Sequence, residues 1–502
     1  MKRNLIYSVF AVLLLASCSK EEIPVPAPAP ETLDAYISLG ISNGMVNTKS
    51  ATRAAEQETG TSDPSYGEGD DNVPDPDGTT AINTFTVAVF RGAPTGGVAA
   101  ADGITTPVVE PEGTMIYLNT FDATTPLTSE EAQKLCNSGI VKKAGSDKEY
   151  QINGIKVKAG NLYIMIMANM PKGFLTKSVT MAQLQDLVYG DLEHEGYNNE
   201  GSSFPCSMSS KLLKVKIDPN MNSATTDAEK LNNKVYYVLA DGETAEAAEK
   251  NTGATTDSNR QFEDYTGEDS SIPLYRNVSA VAFKTITLAP GEGWGKKNGA
   301  TLTLKSIFVT NAISSTSMTT GVKPSKKEFF CGHKDYKGKG QNAVLATTGN
   351  KQQDYLIKEW KSDQPEISVS GTSSDFLPTD PDKCVGKYFM VYENSKKMGL
   401  GDGEHTLLTL CADYTYTDDQ GEEHTSKDRF YTVIVNDESN IGAAGSTGYG
   451  TYVNRNYIYN IKLTVVGPGS EKPFTPLYTA NATAFVEAAD WTGAVNIDQD
   501  AE

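Results

Sequence analysis

The chain has 502 residues, 38% of them hydrophobic, and its 44 Lys+Arg face 64 Asp+Glu for a formal net charge of −20. That length accommodates about two to four domains. The acidity, with no long basic run to offset it, excludes a general nucleic-acid binder and charge-driven adhesion to an anionic membrane. Four His make a His-rich metal enzyme a poor fit. Abundant Tyr, Thr, Gly, Asn and Asp fit strands joined by turns.

Lys2 and Arg3 precede an apolar run over residues 5–16, too short to span a bilayer, which reads as a secretory signal. It ends Leu15-Ala16-Ser17-Cys18, which resembles a bacterial lipobox. That pattern implies cleavage before Cys18 and acylation of its thiol and new amine. The plainer alternative is an ordinary signal followed by a chance cysteine. A Pro/Ala tether over 24–30 then extends into solvent. No later segment reaches transmembrane length.

Leu33, Ala35, Ile37, Leu39 and Ile41 alternate with Asp34, Tyr36, Ser38 and Gly40, which predicts a strand with one apolar face. A polar stretch follows, ending Ala51-Thr52-Arg53-Ala54-Ala55, and then residues 56–80 without periodicity, a solvated linker. Its aspartates (Asp70, Asp71, Asp75, Asp77) leave a calcium site as a minor alternative.

Phe85, Val87 and Val89 alternate with polar or small residues, and 162–168 is a continuous apolar run, expected as a buried central strand. Leu213, Val215 and Ile217 alternate with Lys214 and Lys216. Thr128-x-x-Glu131 and Thr180-x-x-Gln183 read as capping boxes of two short helices, the second carrying a stripe of Met181, Leu184, Leu187 and Val188. Residues 241–271 are polar again, and a domain boundary is expected there. Beyond it, strands are expected at 277–288, 302–310, 388–392, 406–416, 430–435 and 457–466, then at 480–488 and 491–497 in the tail.

Little in the chain carries catalytic chemistry. Walker-type loops, Gly-x-Ser-x-Gly and His-Glu-x-x-His are absent. Cys136, Cys206, Cys331, Cys384 and Cys411 form no CxxC, so no disulfide framework or zinc pattern is readable. Cys331-Gly332-His333 reads first as a loop Cys beside a loop His, and His194, His405 and His424 as exposed loop residues. Trp294 and Trp360 are the residues a sugar-binding face would use, although a lone Trp is more often core or rim. No enzymatic activity and no cofactor or metal are expected.

The run 454–469, which opens Asn454-Arg455-Asn456-Tyr457 and closes Val466-Gly467-Pro468-Gly469, resembles the C-terminal signature of FimA-type fimbrillins, the shaft subunits of Bacteroidales type V pili. Val486-Glu487-Ala488-Ala489-Asp490-Trp491 continues that resemblance. The lipobox at Cys18, the strand near 33–41, the Arg53-Ala54 junction and the strands at 162–169 and 277–288 follow in matching order. The long polar segments near 60–80 and 220–270 depart from it.

The resemblance implies a mainly β fold. It would comprise two tandem antiparallel β-sandwich domains, transthyretin-like or Greek-key, with a few short helices, an N-terminal pro-strand and C-terminal donor strands. The expected division is a signal peptide (1–17), a lipidated pro-segment (18–53), an N-terminal domain (54–265), a C-terminal domain (266–469) and a donor tail (470–502). The resemblance further implies an outer-membrane lipoprotein precursor, attached only through its lipid, cut by an Arg-specific extracellular protease between Arg53 and Ala54. Arg91 is the poorer cut site because it abuts a core strand. Loss of the strand bearing Leu33, Ala35, Ile37, Leu39 and Ile41 would forfeit roughly 6–12 kcal/mol of apolar burial.

A neighbour's tail would refill that groove, through Ala482, Ala484 and Val486 or through Trp491, Val495 and Ile497, by strand addition. Such a contact is head-to-tail and builds a filament. The implied partners are further copies of the chain, anchor and tip fimbrillins and a host surface ligand. The alternatives are that the tail completes its own domain, that the chain is an anchor or tip fimbrillin, or that it is a glycan-binding surface lipoprotein that never polymerises. The first 53 residues carry five Lys/Arg and four Asp/Glu, a surplus of +1, so a chain cut after Arg53 has a charge of −20 − 1 = −21.

Overall fold

Alternating apolar and polar residues become strands along the whole chain. In the computed structural model the described residues are 34–43, 81–93, 110–125, 139–142, 149–185, 187–196, 204–210, 212–217, 234–235, 272–318, 328–334, 350–362, 364–369, 388–394, 404–435, 453–473 and 482–490. The first region contains β1 (Asp34–Asn43), β2 (Thr84–Arg91), β3 (Met115–Asp122), β4 (Gly139–Lys142), β5 (Glu149–Lys158) and β6 (Gly160–Ala168). A short helix α1 (Met181–Gln185) leads to β7 (Val188–Tyr189), β8 (Met208–Ser209), β9 (Leu213–Ile217), β10 (Lys234–Val235) and β11 (Ile272–Arg276).

Ten of these strands form one sheet in the order β3-β2-β6-β8-β11-β1-β5-β4, with β9 beside β6 and β10 beside β1. β2 and β6 are buried on both faces, which is why 162–168 is apolar without alternation. Val87, Val89, Ile164 and Ile166 face one core with β1, while Ala88, Phe90, Met165 and Met167 face a second core shared with the rest of the molecule.

The chain leaves β6 through Asn169, whose φ of 58° lies in the left-handed region that Asn tolerates. Its side chain donates to Ala81 O and Cys206 O and accepts from the Asn83 amide. The capping box forms as expected: the Gln183 amide donates to Thr180 Oγ1 (3.2 Å) and the Thr180 amide to Gln183 Oε1 (2.9 Å). The helical stripe is shorter than its spacing implied. α1 stops at Gln185, and Val188 belongs to β7, which pairs with Thr316 and Ser317. That long-range pairing within the chain overrides the 3.6-residue period.

The second region contains β12 (Val278–Leu288), β13 (Ala300–Thr310), β14 (Ala312–Ile313), β15 (Thr316–Ser317), β16 (Phe329–Cys331), β17 (Asn350–Gln352) and β18 (Ile357–Glu359). It continues with β19 (Glu366–Val369), β20 (Phe389–Tyr392), β21 (Leu407–Thr417), β22 (Glu423–Ile434), β23 (Tyr457–Val465) and β24 (Ala482–Asp490). One sheet runs β20-β12-β23-β24 and another β18-β13-β21-β22, with β19 also beside β13. Phe283, Ile461 and Leu463 from the first share a buried cluster with Leu302, Leu304, Leu410 and Val433 from the second.

The molecule is therefore mainly β, with several antiparallel sheets and almost no helix among the described residues. It is not purely antiparallel: β1 runs parallel to β10 and β11, β12 to β23, and β16 to β17. Parallel neighbours come from distant parts of the chain, so no local turn signal announces them.

Candidate functional site

β1 sits in the interior of its sheet. On one side it pairs antiparallel with β5, from Asp34↔Lys158 to Ser42↔Glu149, with an irregularity between Ile37 and Leu39. On the other side it runs parallel to β10 (Leu39↔Val235) and β11 (Ile41↔Ile272). Ala35, Ile37, Leu39 and Ile41 are all 0% exposed. They pack in one cluster with Ile152, Ile155, Val87 and Ile272. The sequence-derived inward face of this strand is thus the face that is buried; Leu33 lies outside the described residues.

On the outward face, Asp34 is gripped by two lysines of β5, Lys158 Nζ at 2.6 Å and Lys156 Nζ at 2.9 Å. The hydrogen bonds from Lys158 and then Lys156 hold the Asp34 carboxyl below its ordinary pKa. Sequence reasoning missed this clamp, because the partners lie more than a hundred positions apart and only the strand register brings them together.

β24 is an edge strand. Among the described residues it pairs antiparallel with β23 alone, from Tyr457↔Asp490 through Ile461↔Val486 to Val465↔Ala482. Ala482 is buried and Ala484 half-buried. Trp491, Val495 and Ile497 lie outside the described residues, as do Cys18, Arg53 and Ala54. Arg91 is 1% exposed on β2, with Nη1 donating to Ala159 O at 2.7 Å and Nη2 paired with Glu110 at 3.5 Å. A protease cannot reach it without unfolding the sheet.

The motif Asn454-Arg455-Asn456 lies where the two regions join. Only Asn277 separates β11, in the first sheet, from β12, in the second. Arg455 is buried there, with Nε donating to Glu393 (3.0 Å), Nη1 to Asn277 Oδ1 (3.3 Å) and Nη2 to Ser317 O (2.9 Å) and Thr316 Oγ1 (3.1 Å). Asn456 adopts φ 65° and accepts from the Arg276 amide, while its own amide donates to Val278 O. Asn277 also accepts from Ser209 Oγ and donates to Ser207 Oγ.

Beside this junction Glu195 is buried and receives the Ser207 amide (2.8 Å), with the Ser207 hydroxyl at 2.5 Å. Burial pushes its carboxyl pKa up to about 8. Arg455 was legible only as part of a motif; its role is to satisfy buried polar groups where the chain changes sheets.

The residues that hinted at metal chemistry have other work. Cys331 is a buried strand residue rather than a loop Cys; burial raises its thiol to about 11, and its Sγ lies near Thr310 Oγ1 and the His333 amide. His424 lies on β22, stacked on Tyr416 and bonded to Asp418, so it is no loop residue. Asp418 Oδ1 accepts the amides of Gln420 and Glu422, which closes the β21–β22 turn.

No family model matches the chain, and the comparison with curated proteins returned no match. Solved structures do match. One is a protein described as a cell adhesion protein from Parabacteroides distasonis ATCC 8503, 19% identical, covering 91% of this chain and 99% of that one, with a TM-score of 0.52. Another is a fimbrilin, FimA, from Porphyromonas gingivalis W83, 14% identical, covering 91% of this chain and 98% of that one, with a TM-score of 0.50. Across most of its length the chain therefore has the fold of Bacteroidales fimbrilins and cell adhesion proteins.

Proposed function

We propose that this chain is a structural subunit of a surface fimbrium that polymerises by protease-triggered strand exchange and supports adhesion. The observation that carries this reading is β1: an N-terminal strand, preceding a candidate cut at Arg53, that fills the interior of a sheet with four fully buried side chains. Ile37, Leu39 and Ile41 alone account for about 4.5–9 kcal/mol of apolar burial, a large share of a domain's net stability of about 5–15 kcal/mol. Removing β1 would also leave the facing edges of β5, β10 and β11 without ladder partners. A neighbour's tail would restore both.

In this reading the precursor is a lipoprotein acylated at Cys18, and Arg53-Ala54 is the bond an Arg-specific protease cuts. The burial of Arg91 supports that choice. β24 is the resting position of the tail, held on one side only, and it or the residues 491–497 enter the next subunit's groove. Joined head-to-tail, the copies form a shaft that ends in anchor and tip fimbrillins. The proposed division into 54–265 and 266–469 sets β11 apart from its partner strands β1 and β8, and the passage between sheets falls at Asn277.

Arg53→Ala is the direct test. Protease-treated wild-type protein is expected to form SDS-resistant ladders and to begin at Ala54, whereas the variant stays a lipidated monomer. Ladders from Arg53→Ala protein would overturn the proposed switch. Truncation after Gly469 is expected to stop elongation; unimpaired filaments would place the donor elsewhere.

A further inference from the structure

The β18-β13-β21-β22 sheet buries Leu302, Leu304, Leu410 and Val433 on its inner face. Its outer face floors a cleft of about 1280 Å³. Phe430, Cys411 and Ser306 lie in the floor; Gly332, His333, Tyr355 and Trp360 form one wall and Glu471 and Pro473 another. The volume exceeds the roughly 300–1,000 Å³ of a small-molecule pocket and suits a chain of several sugar rings.

The aromatic wall is held rigidly. Leu356, beside Tyr355, is fully buried, and the Trp360 amide donates to Lys305 O at 2.9 Å. The Trp360 ring packs partly on the core and is half-exposed. A Cβ at Gly332 would sit 2.1 Å from Leu356 O, so only glycine permits this close approach of the two wall segments.

The charged groups are fixed as well. Lys305 lies between Asp428 (2.7 Å) and Asp413 (3.0 Å), and Arg429 pairs with Glu471 (2.9 Å). Arg429 Nε is buried and has no hydrogen-bond partner among the described residues. Among the described residues five basic and five acidic side chains line the cleft, so their charges balance. The β22 edge is closed to an added peptide strand at Phe430, which exchanges both backbone hydrogen bonds with Ser470 (2.8 and 3.0 Å).

We propose that this cleft binds a neutral oligosaccharide, with Trp360 as the stacking platform and the Lys305–Asp428 and Arg429–Glu471 pairs as donors and acceptors for its hydroxyls. Planar rings with preformed ion pairs match what a sugar offers, an apolar face of C–H groups edged by hydroxyls. The cleft takes no residue from β1 or β24; Glu471 and Pro473 belong to the tail, so binding is tested on the unassembled chain, where these two residues keep their places whether or not strand exchange is correct.

The full-length chain would be titrated with maltohexaose, cellohexaose, laminarihexaose, mannohexaose and xylohexaose, each to about 10 mM, and read by tryptophan fluorescence and calorimetry. At least one is expected to bind. Trp360→Ala should weaken that binding about tenfold, and Trp360→Phe should largely preserve it. If Trp360→Ala proves misfolded by its circular dichroism, Arg429→Gln supplies the same reading. Absence of binding by all five would overturn the proposal. So would binding that survives both substitutions, or a preference for heparin hexasaccharide or an unstructured peptide over every neutral sugar.

Discussion

β1 and β24 are both strands of nearly equal length near the ends of the chain, yet they are held in opposite ways. β1 has neighbours on both sides and contributes Ile37, Leu39 and Ile41 to a core from which water is excluded. β24 has one neighbour among the described residues, and the side chains described on it are those of Ala482, Thr483 and Ala484. β1 is laddered on both sides, and each of its large aliphatic side chains adds about 1.5–3 kcal/mol of apolar burial. A strand that fills a core must be cut away to be lost. A strand laid on an edge can leave by peeling.

The largest test of that contrast is a charge in the β1 core. Leu39→Asp is expected to destabilise the first sheet by about 4 kcal/mol or more, since it adds an unpaired charge to the loss of an aliphatic group. Urea denaturation would read this. An equal effect from Ala484→Asp on β24 would break the contrast.

Next in size is Arg455→Met, which removes the guanidinium that pairs with buried Glu393. About 3–5 kcal/mol is expected to be lost, and Arg455→Met with Glu393→Leu should recover much of it. Thermal melts of the two variants decide the point, and because Arg455 precedes β23 they also show whether β24 depends on the junction.

Glu195 gives a pH-dependent prediction. Its folded pKa of about 8 lies above the ordinary carboxyl value, so the folded state holds the proton more tightly. Its contribution is fully present below the unfolded pKa and is lost as pH rises through the folded one. The melting temperature should fall between about pH 5 and pH 8, and Glu195→Gln should flatten that fall.

Truncation after Gly469 should cost less than Leu39→Asp and confine its effect to β23, which loses β24, and to β22, which loses Ser470 and Glu471. Hydrogen exchange is expected to speed up at 457–465 and to stay unchanged across β1 and β5. The smallest effect belongs to Asp34→Asn. The Asp34 pKa is lowered by Lys158 and Lys156, so its contribution is present above the unfolded pKa and lost as pH falls through the folded one. The pair is partly exposed and solvent-screened, which limits the change to about 1 kcal/mol or less. Melting curves from pH 5 down to about pH 2 would check it.

Much of the contrast is readable from sequence. Alternation located β1 and its buried residues, because a period of two has one physical meaning when a face is apolar. β6 was readable as a run too apolar for any exposed face. β5 was not: Gln151, Asn153, Gly154 and the lysines on its outward face blur the pattern around Ile152, Ile155 and Val157. The Thr180 capping box was legible because it is local. The Arg455–Glu393 pair was not, because its members are 62 positions apart and nothing in a polar run distinguishes a buried arginine from a solvated one. β11 was not anticipated as a strand; it pairs with β1 and β8, a neighbourhood set wholly by tertiary contacts.

Asn277 has a mechanical consequence. With one residue between β11 and β12, the two sheets share no slack tether. In the proposed filament, tension entering along the place of β1 would pass into β11 through a parallel ladder, cross the Asn277–Arg455 contact, and continue from β12 into β23 through a second parallel ladder. A strand pulled along its own axis loads all of its hydrogen bonds in shear at once, whereas one lifted from its end loses them singly. A filament of such subunits would resist flow along its length while each subunit kept its sheets in register.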